Sequence, residues 1–144
     1  MTPVPSTAGD LVVERVAAAM NAHDIEALVA CFEPEYQSDQ PAHPDRAFTG
    51  REQVRENWSA VFDGVPDFTA ELVAAAVDGD IEWSEWRWRG NHADGTRLDM
   101  AGAIVAGVRH GRLAWARLYV EPVERGAGIQ AAVRDMAGGP TPGA

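Results

Sequence analysis

Residues 81–121 read IEWSEWRWRGNHADGTRLDMAGAIVAGVRHGRLAWARLYVE, and the reading of this stretch decides the fold. Alternating apolar and polar positions are broken at Ala93-Asp94-Gly95-Thr96 and again at Arg109-His110-Gly111-Arg112. Asp-Gly between alternating segments signals a hairpin, because its turn needs positive φ, which Gly accepts and Asp tolerates. His-Gly serves the second turn in the same way. The spacing predicts three successive antiparallel strands.

Register then decides which side chains share a face. With two-residue loops at both turns, Trp88 stands opposite Ala101, Trp86 opposite Ala103 and Gly90 opposite Asp99. On the second hairpin Ala101 faces Val120, Ala103 faces Leu118 and Val105 faces Ala116. One face therefore gathers Glu82, Ser84, Trp86, Trp88, Asp99, Ala101, Ala103, Ala116, Leu118 and Val120, and the other Trp83, Glu85, Arg87, Arg89, Leu98, Met100, Trp115, Arg117 and Tyr119. Two indoles among alanines leave unfilled room where the sheet curls, with Asp99 inside the hollow. A bulge would exchange the faces, bringing Glu85, Arg87 and Arg117 inward and taking Asp99 out.

At 144 residues the chain has the length of one domain with a single core. Its net charge of −10 disfavours a nucleic-acid or anionic-membrane partner. No apolar run reaches the roughly 18 residues that span a bilayer. MTPVPSTAGD has neither the basic nor the apolar region of a secretion signal, and the one cysteine, Cys31, fits a reducing compartment, so a cytoplasmic location is expected. Cys31 sits among Ala, Val and Phe and reads as a small buried hydrophobe.

Residues 1–9, rich in Pro, Ser and Thr, are expected to form a flexible arm. Asp10 is placed to cap a helix to about Asn21 whose stripe is Val12, Val16, Ala19 and Met20. Asp24 caps a short second helix that Pro34 stops, and Tyr36–Gln40 is either a short strand or the entry to a loop. Thr49 and Glu52 stand at capping-box spacing before a helix carrying Val54, Trp58, Val61 and Phe62, which ends at Gly64. Residues 67–77 read as a strand before the three-strand unit. The domain is taken to be 10–122, and 123–144 an extension with a short helix around Ile129, Val133 and Met136 and a disordered tail. The order predicts an α+β fold: a curved antiparallel sheet wrapped around helices as a cone with an internal pocket.

Several pieces carry a resemblance: Ala27-Leu28-Val29-Ala30-Cys31-Phe32 with Tyr36, Phe48-Thr49-Gly50-Arg51-Glu52-Gln53-Val54, Val77-Asp78-Gly79-Asp80, Trp86 with Gly90 and His92, and His110-Gly111-Arg112-Leu113 leading to Arg117-Leu118-Tyr119. In this order, over about residues 10–122, they resemble the SnoaL-like branch of the nuclear-transport-factor-2-like superfamily, home of ketosteroid isomerases, polyketide cyclases and limonene epoxide hydrolases. The resemblance implies a cystatin-like α+β barrel with a shielded pocket, a role in secondary metabolism, and homodimers packed through the outer sheet face, where Trp83, Trp115 and Tyr119 would be anchors. It also implies an acid–base aspartate in the cyclases, for which Asp99 is the candidate. Against epoxide hydrolysis, Ser38 stands where that family has Asn, and Leu118 where it has the water-activating aspartate.

A carboxylate in an apolar pocket is pushed toward a neutral pKa and suits a general acid or base, which gives Asp99 its expected role. The alternative places it at the surface, paired with His92 or Arg97. Tyr36 is a candidate to hold a substrate oxygen and His43 to shuttle protons. Trp58, Trp86 and Trp88, with Leu118, Phe62 and Met20, are the expected walls, or else ordinary core filler. Asp39, His43 and Asp45 lack the companions of a metal site, so neither metal nor cofactor is expected. His23, His92 and His110 sit at breaks and are expected to face solvent. The first reading is a cofactor-free enzyme cyclising or isomerising a small, apolar, polyketide- or steroid-like carbonyl compound. The others are a non-catalytic hydrophobic-ligand or dimerisation module, and an epoxide hydrolase with altered residues.

Overall fold

The computed structural model describes residues 10–138. The expected arm and most of the expected tail lie outside them. In chain order come α1 (Val12–Ala22), α2 (Ile25–Val29), β1 (Phe32–Asp39), β2 (Phe48–Thr49), α3 (Arg51–Gly64), β3 (Thr69–Asp78), β4 (Ile81–Asn91), β5 (Arg97–Arg109), β6 (Arg112–Pro122) and α4 (Ile129–Met136). The strands form one sheet in the order β2-β1-β6-β5-β4-β3. β1 runs parallel to β6, so the curved sheet is mixed rather than purely antiparallel, and it stays open between the β2 and β3 edges. The expected α+β cone is present, without a closed barrel.

The helices are set on the sheet by side chains that substitute for backbone partners. Asn21 exchanges two hydrogen bonds with the backbone of Ala70, both 2.8 Å, which fastens the end of α1 to β3. The start of α1 is capped across the fold rather than by Asp10: Glu82, buried on β4, accepts from the Val12 and Val13 N–H groups at 2.9 Å each. A carboxylate there meets both the free N–H groups and the positive end of the helix dipole. Asp24 caps α2 through Ala27 N–H at 3.0 Å. The expected capping box of α3 is not formed; Gly50, at φ 102°, takes the cap position, and the Thr49 hydroxyl turns to Gln37 Oε1. β1 starts at Phe32, earlier than the second helix was expected to end, and runs through Pro34, where its pairing with β6 is irregular.

The strand unit of residues 81–121 departs from the simple register twice. The first turn has three residues, Ala93, Asp94 and Gly95, with His92 N–H donating to Thr96 O at 2.8 Å and Gly95 at φ 89°. This is the type I turn closed by a left-handed residue that competes with the two-residue loop. It pairs Asn91 with Arg97, Arg89 with Asp99 and Trp86 with Gly102. The second turn is the expected two-residue one, with His110 at φ 55° and Gly111 at φ 71°, but a bulge between Gly107 and Val108 then shifts the ladder. Each shift is one residue, and together they restore the faces of β4 and β6 while turning β5 over. Leu98, Met100, Ile104 and Ala106 therefore face the helices, and Asp99, Ala101 and Ala103 the outside.

Candidate functional site

The concave side encloses a cavity of about 460 Å³ between the sheet, α1 and α3. α1 contributes Val13, Val16 and Met20 along one stripe, α3 contributes Val54, Trp58 and Val61, and β4 contributes Trp86 and Trp88. From β5 come Leu98, Met100 and Ile104, and from β6 Leu113, Ala116 and Leu118. Of the expected walls, Met20, Trp58, Trp86, Trp88 and Leu118 line it. Phe62 does not; it lies beside Trp58 but stacks on the His23 ring at 4.7 Å, within 6° of parallel. His23 is thereby no solvent-facing residue, and its Nε2 sits 2.8 Å from Phe68 O.

Trp58, Trp86 and Trp88 both line the cavity and pack in the core. Trp58 meets Trp88 edge-on at 5.3 Å, and Trp86 meets Trp88 at 6.3 Å. Trp86 is fixed by donating Nε1–H to Ser84 Oγ at 2.8 Å, while Ser84 donates to Ile104 O at 3.0 Å. Trp88 Nε1 is buried and has no hydrogen-bond partner among the described residues. A buried donor without an acceptor is destabilising by about 1–3 kcal/mol, so such a group is an exception that calls for a partner.

Five polar side chains break the apolar lining: Tyr36, Ser38, Gln40, Asn57 and His92. Tyr36 and Ser38 are both 3% exposed, two residues apart on β1, so the alternation of the strand aims them to the same side. Phe32 and Phe48 flank Tyr36 edge-on at 4.7 and 6.1 Å. Burial pushes the Tyr36 phenol up to about 12, with a hydrogen bond to Ser38 acting in the opposite direction. Tyr36 is thus a neutral hydrogen-bond donor at any ordinary pH. His92, at the end of β4, was expected in solvent and instead lines the cavity. The signal for it was present: it stands four residues beyond Trp88 at the lip of a strand whose alternate residues face inward.

Asp99 and His43 are not in this cavity. The three-residue turn puts Asp99 on the outer face, where Arg87 grips it with two hydrogen bonds of 2.9 and 3.0 Å. That guanidinium first, then Arg89 and Arg125, hold its carboxyl below the usual range, the reverse of the elevation expected of a pocket acid. His43 pairs with Glu121 Oε1 at 2.6 Å. Leu118 lines the cavity where an epoxide hydrolase needs its aspartate, and no Asp or Glu lines the cavity among the described residues. Cys31 is buried, 3.4 Å from Ala27 O, with its thiol pushed up by burial, as a core residue should be. No cluster of three or more His, Cys, Asp or Glu among the described residues could hold a metal.

An open, curved six-stranded sheet closed by helices over an apolar cavity defines the nuclear-transport-factor-2-like class of α+β proteins. Within it the chain belongs to the family of the SnoaL-like domain, whose model matches residues 13–116. IdmH of Streptomyces antibioticus, a proposed polyketide cyclase, is 21% identical over 76% of this chain and 89% of its own, with a TM-score of 0.67. A protein of Catenulispora acidiphila with a ketosteroid isomerase-like fold, solved in complex with trimethylamine, is 20% identical over 77% of this chain and 85% of its own, with a TM-score of 0.66. A SnoaL-like protein of Jannaschia, also proposed to be a polyketide cyclase, is 18% identical over 90% and 91%, with a TM-score of 0.65. At these identities the likeness is one of fold. No curated protein matches the chain in sequence.

Proposed function

We propose that the cavity binds the largely apolar body of a small carbonyl compound and promotes its cyclisation or isomerisation by proton transfer. The observation that carries this reading is the lining itself: aromatic and aliphatic walls broken by a buried neutral phenol and by one imidazole. Among the described residues no charged carboxylate, lysine or arginine lines it, so an ionised group inside it would lose hydration without gaining a counter-ion.

Tyr36 is suited to donate a hydrogen bond to the carbonyl oxygen, strengthening as negative charge develops on it. His92 is the group suited to take the proton from the adjacent carbon, its neutral ring nitrogen accepting the proton while the C–H electron pair moves into an enolate. The enolate either regains the proton at another carbon or attacks a second carbonyl carbon, whose oxygen the imidazolium then protonates. The absence of Asp99 from the lining favours a second reading, retention of a hydrophobic metabolite without turnover. We also infer that two copies pair through the outer sheet face, where Val73, Trp83 and Tyr119 are 48%, 46% and 43% exposed.

Tetralone, a bicyclic aryl ketone, separates turnover from retention. Its α-protons, followed by NMR in deuterium oxide, should exchange faster with the protein than in buffer, and His92→Gln should lower the excess by about 10²–10⁴-fold. Tetralone that binds but exchanges at the buffer rate leaves the binding reading.

A further inference from the structure

A second hollow, of about 500 Å³, lies at the end of β6 beside the start of β5, lined by Arg97, Asp99, Pro122, Val123 and Arg125. Leu98 and Met100 line both this hollow and the main cavity, so the same two half-buried side chains divide them. Its charge differs from that of the chain, which is −10 overall. Three carboxylates on this part of the outer face are engaged: Arg87 fills both oxygens of Asp99, Arg89 lies 3.3 Å from Glu71, and His43 holds Glu121, while Glu124, next to Arg125 in sequence, is exposed. Arg125 reaches only 3.6 Å from the already occupied Asp99 and is 77% exposed, and Arg97 has no ion pair among the described residues. Two guanidiniums with donors to spare therefore flank a hollow next to an apolar cavity.

We propose that this hollow is an anion subsite, in which Arg97 and Arg125 bind the carboxylate of an elongated ligand whose apolar body passes Leu98 and Met100 into the main cavity. A guanidinium presents paired N–H donors that match a carboxylate, and the open position of both residues leaves the ligand's charge hydrated on one side. The proposal rests on the reading of the main cavity as an apolar-ligand site and adds that the ligand is amphipathic.

Decanoate and decanol share a body and differ in the charged end. Binding of each to the full chain, read by tryptophan fluorescence, should favour decanoate by about tenfold at low ionic strength, with the preference shrinking as salt is added. In Arg97→Gln/Arg125→Gln the two should bind alike, with decanol unchanged. Decanol binding with no preference for decanoate, or a preference that survives the double variant, overturns the anion subsite and leaves the cavity reading standing. Failure of both probes to bind overturns the cavity reading and the subsite with it. A double variant that loses decanol affinity or changes its mass in solution assigns the arginines to folding or subunit contact and sinks the proposal.

Discussion

Tyr36 is the residue whose chemistry is most constrained by its surroundings. Its phenol ionises at about 12 in the fold and near 10 in an unfolded chain. Below pH 10 both states are protonated and the residue adds no pH dependence to stability. Between 10 and 12 the unfolded chain binds fewer protons, so stability falls by about 1.4 kcal/mol per pH unit, or about 3 kcal/mol by pH 12. Denaturant titrations from pH 9 to 12 should show this loss, and Tyr36→Phe should flatten it; an equally steep fall in the variant would show that the phenol is not buried as described. Tyr36, Trp58, Trp86 and Trp88 line the cavity, and the sequence could point to them because alternation and aromatic size are local signals. The sequence misassigned Asp99, since the side of a strand depends on a loop whose length, two residues or three, Asp-Gly permits either way.

At the scale of elements, β5 shows how two small irregularities combine. The turn at Ala93–Gly95 and the bulge at Gly107 each shift pairing by one residue, so β4 and β6 present the faces read from alternation and only the strand between them is reversed. The bulge left no mark in the sequence beyond a glycine among several. Gly102, on the same strand, lies opposite Trp86 and is close to the adjoining strand: a Cβ there would come 2.1 Å from Tyr119 O and 2.6 Å from Val120 Cα. Both are backbone atoms, so Gly102→Ala must displace β6, and we expect a loss of about 3 kcal/mol or more in a denaturant midpoint. A variant as stable as the parent would contradict the β5–β6 register. The Arg87–Asp99 bond joins β4 to β5 on the outer side. With the Asp99 carboxyl depressed, its contribution is complete above the ordinary carboxylate range and disappears as pH falls through the lowered value. Asp99→Asn should therefore narrow the drop in melting temperature between pH 5 and pH 3, and an unchanged drop would mean the pair is not formed.

For the whole molecule, α1 and α3 lie on one side of an open sheet, while the other side carries Trp83 and Tyr119 in solvent. Sedimentation should give a dimer, and Trp83→Glu, which sets charge in the middle of the proposed contact, should give a monomer. A wild-type monomer at micromolar concentration would remove the dimer from the account. No helix among the described residues is long and apolar enough to cross a membrane. The cone could be read from the order of elements because hairpins and amphipathic helices are local features; the parallel pairing of β1 with β6 could not, as it joins segments about 80 residues apart in sequence, with no short turn to announce it. The most direct test is a crystal structure with tetralone bound. Its rings should lie against Trp58 and Trp88 inside the cavity, with the ketone oxygen within hydrogen-bond distance of Tyr36 Oη and its α-carbon facing His92. A ketone bound outside the cavity, or inside with its oxygen turned away from Tyr36, would contradict the account.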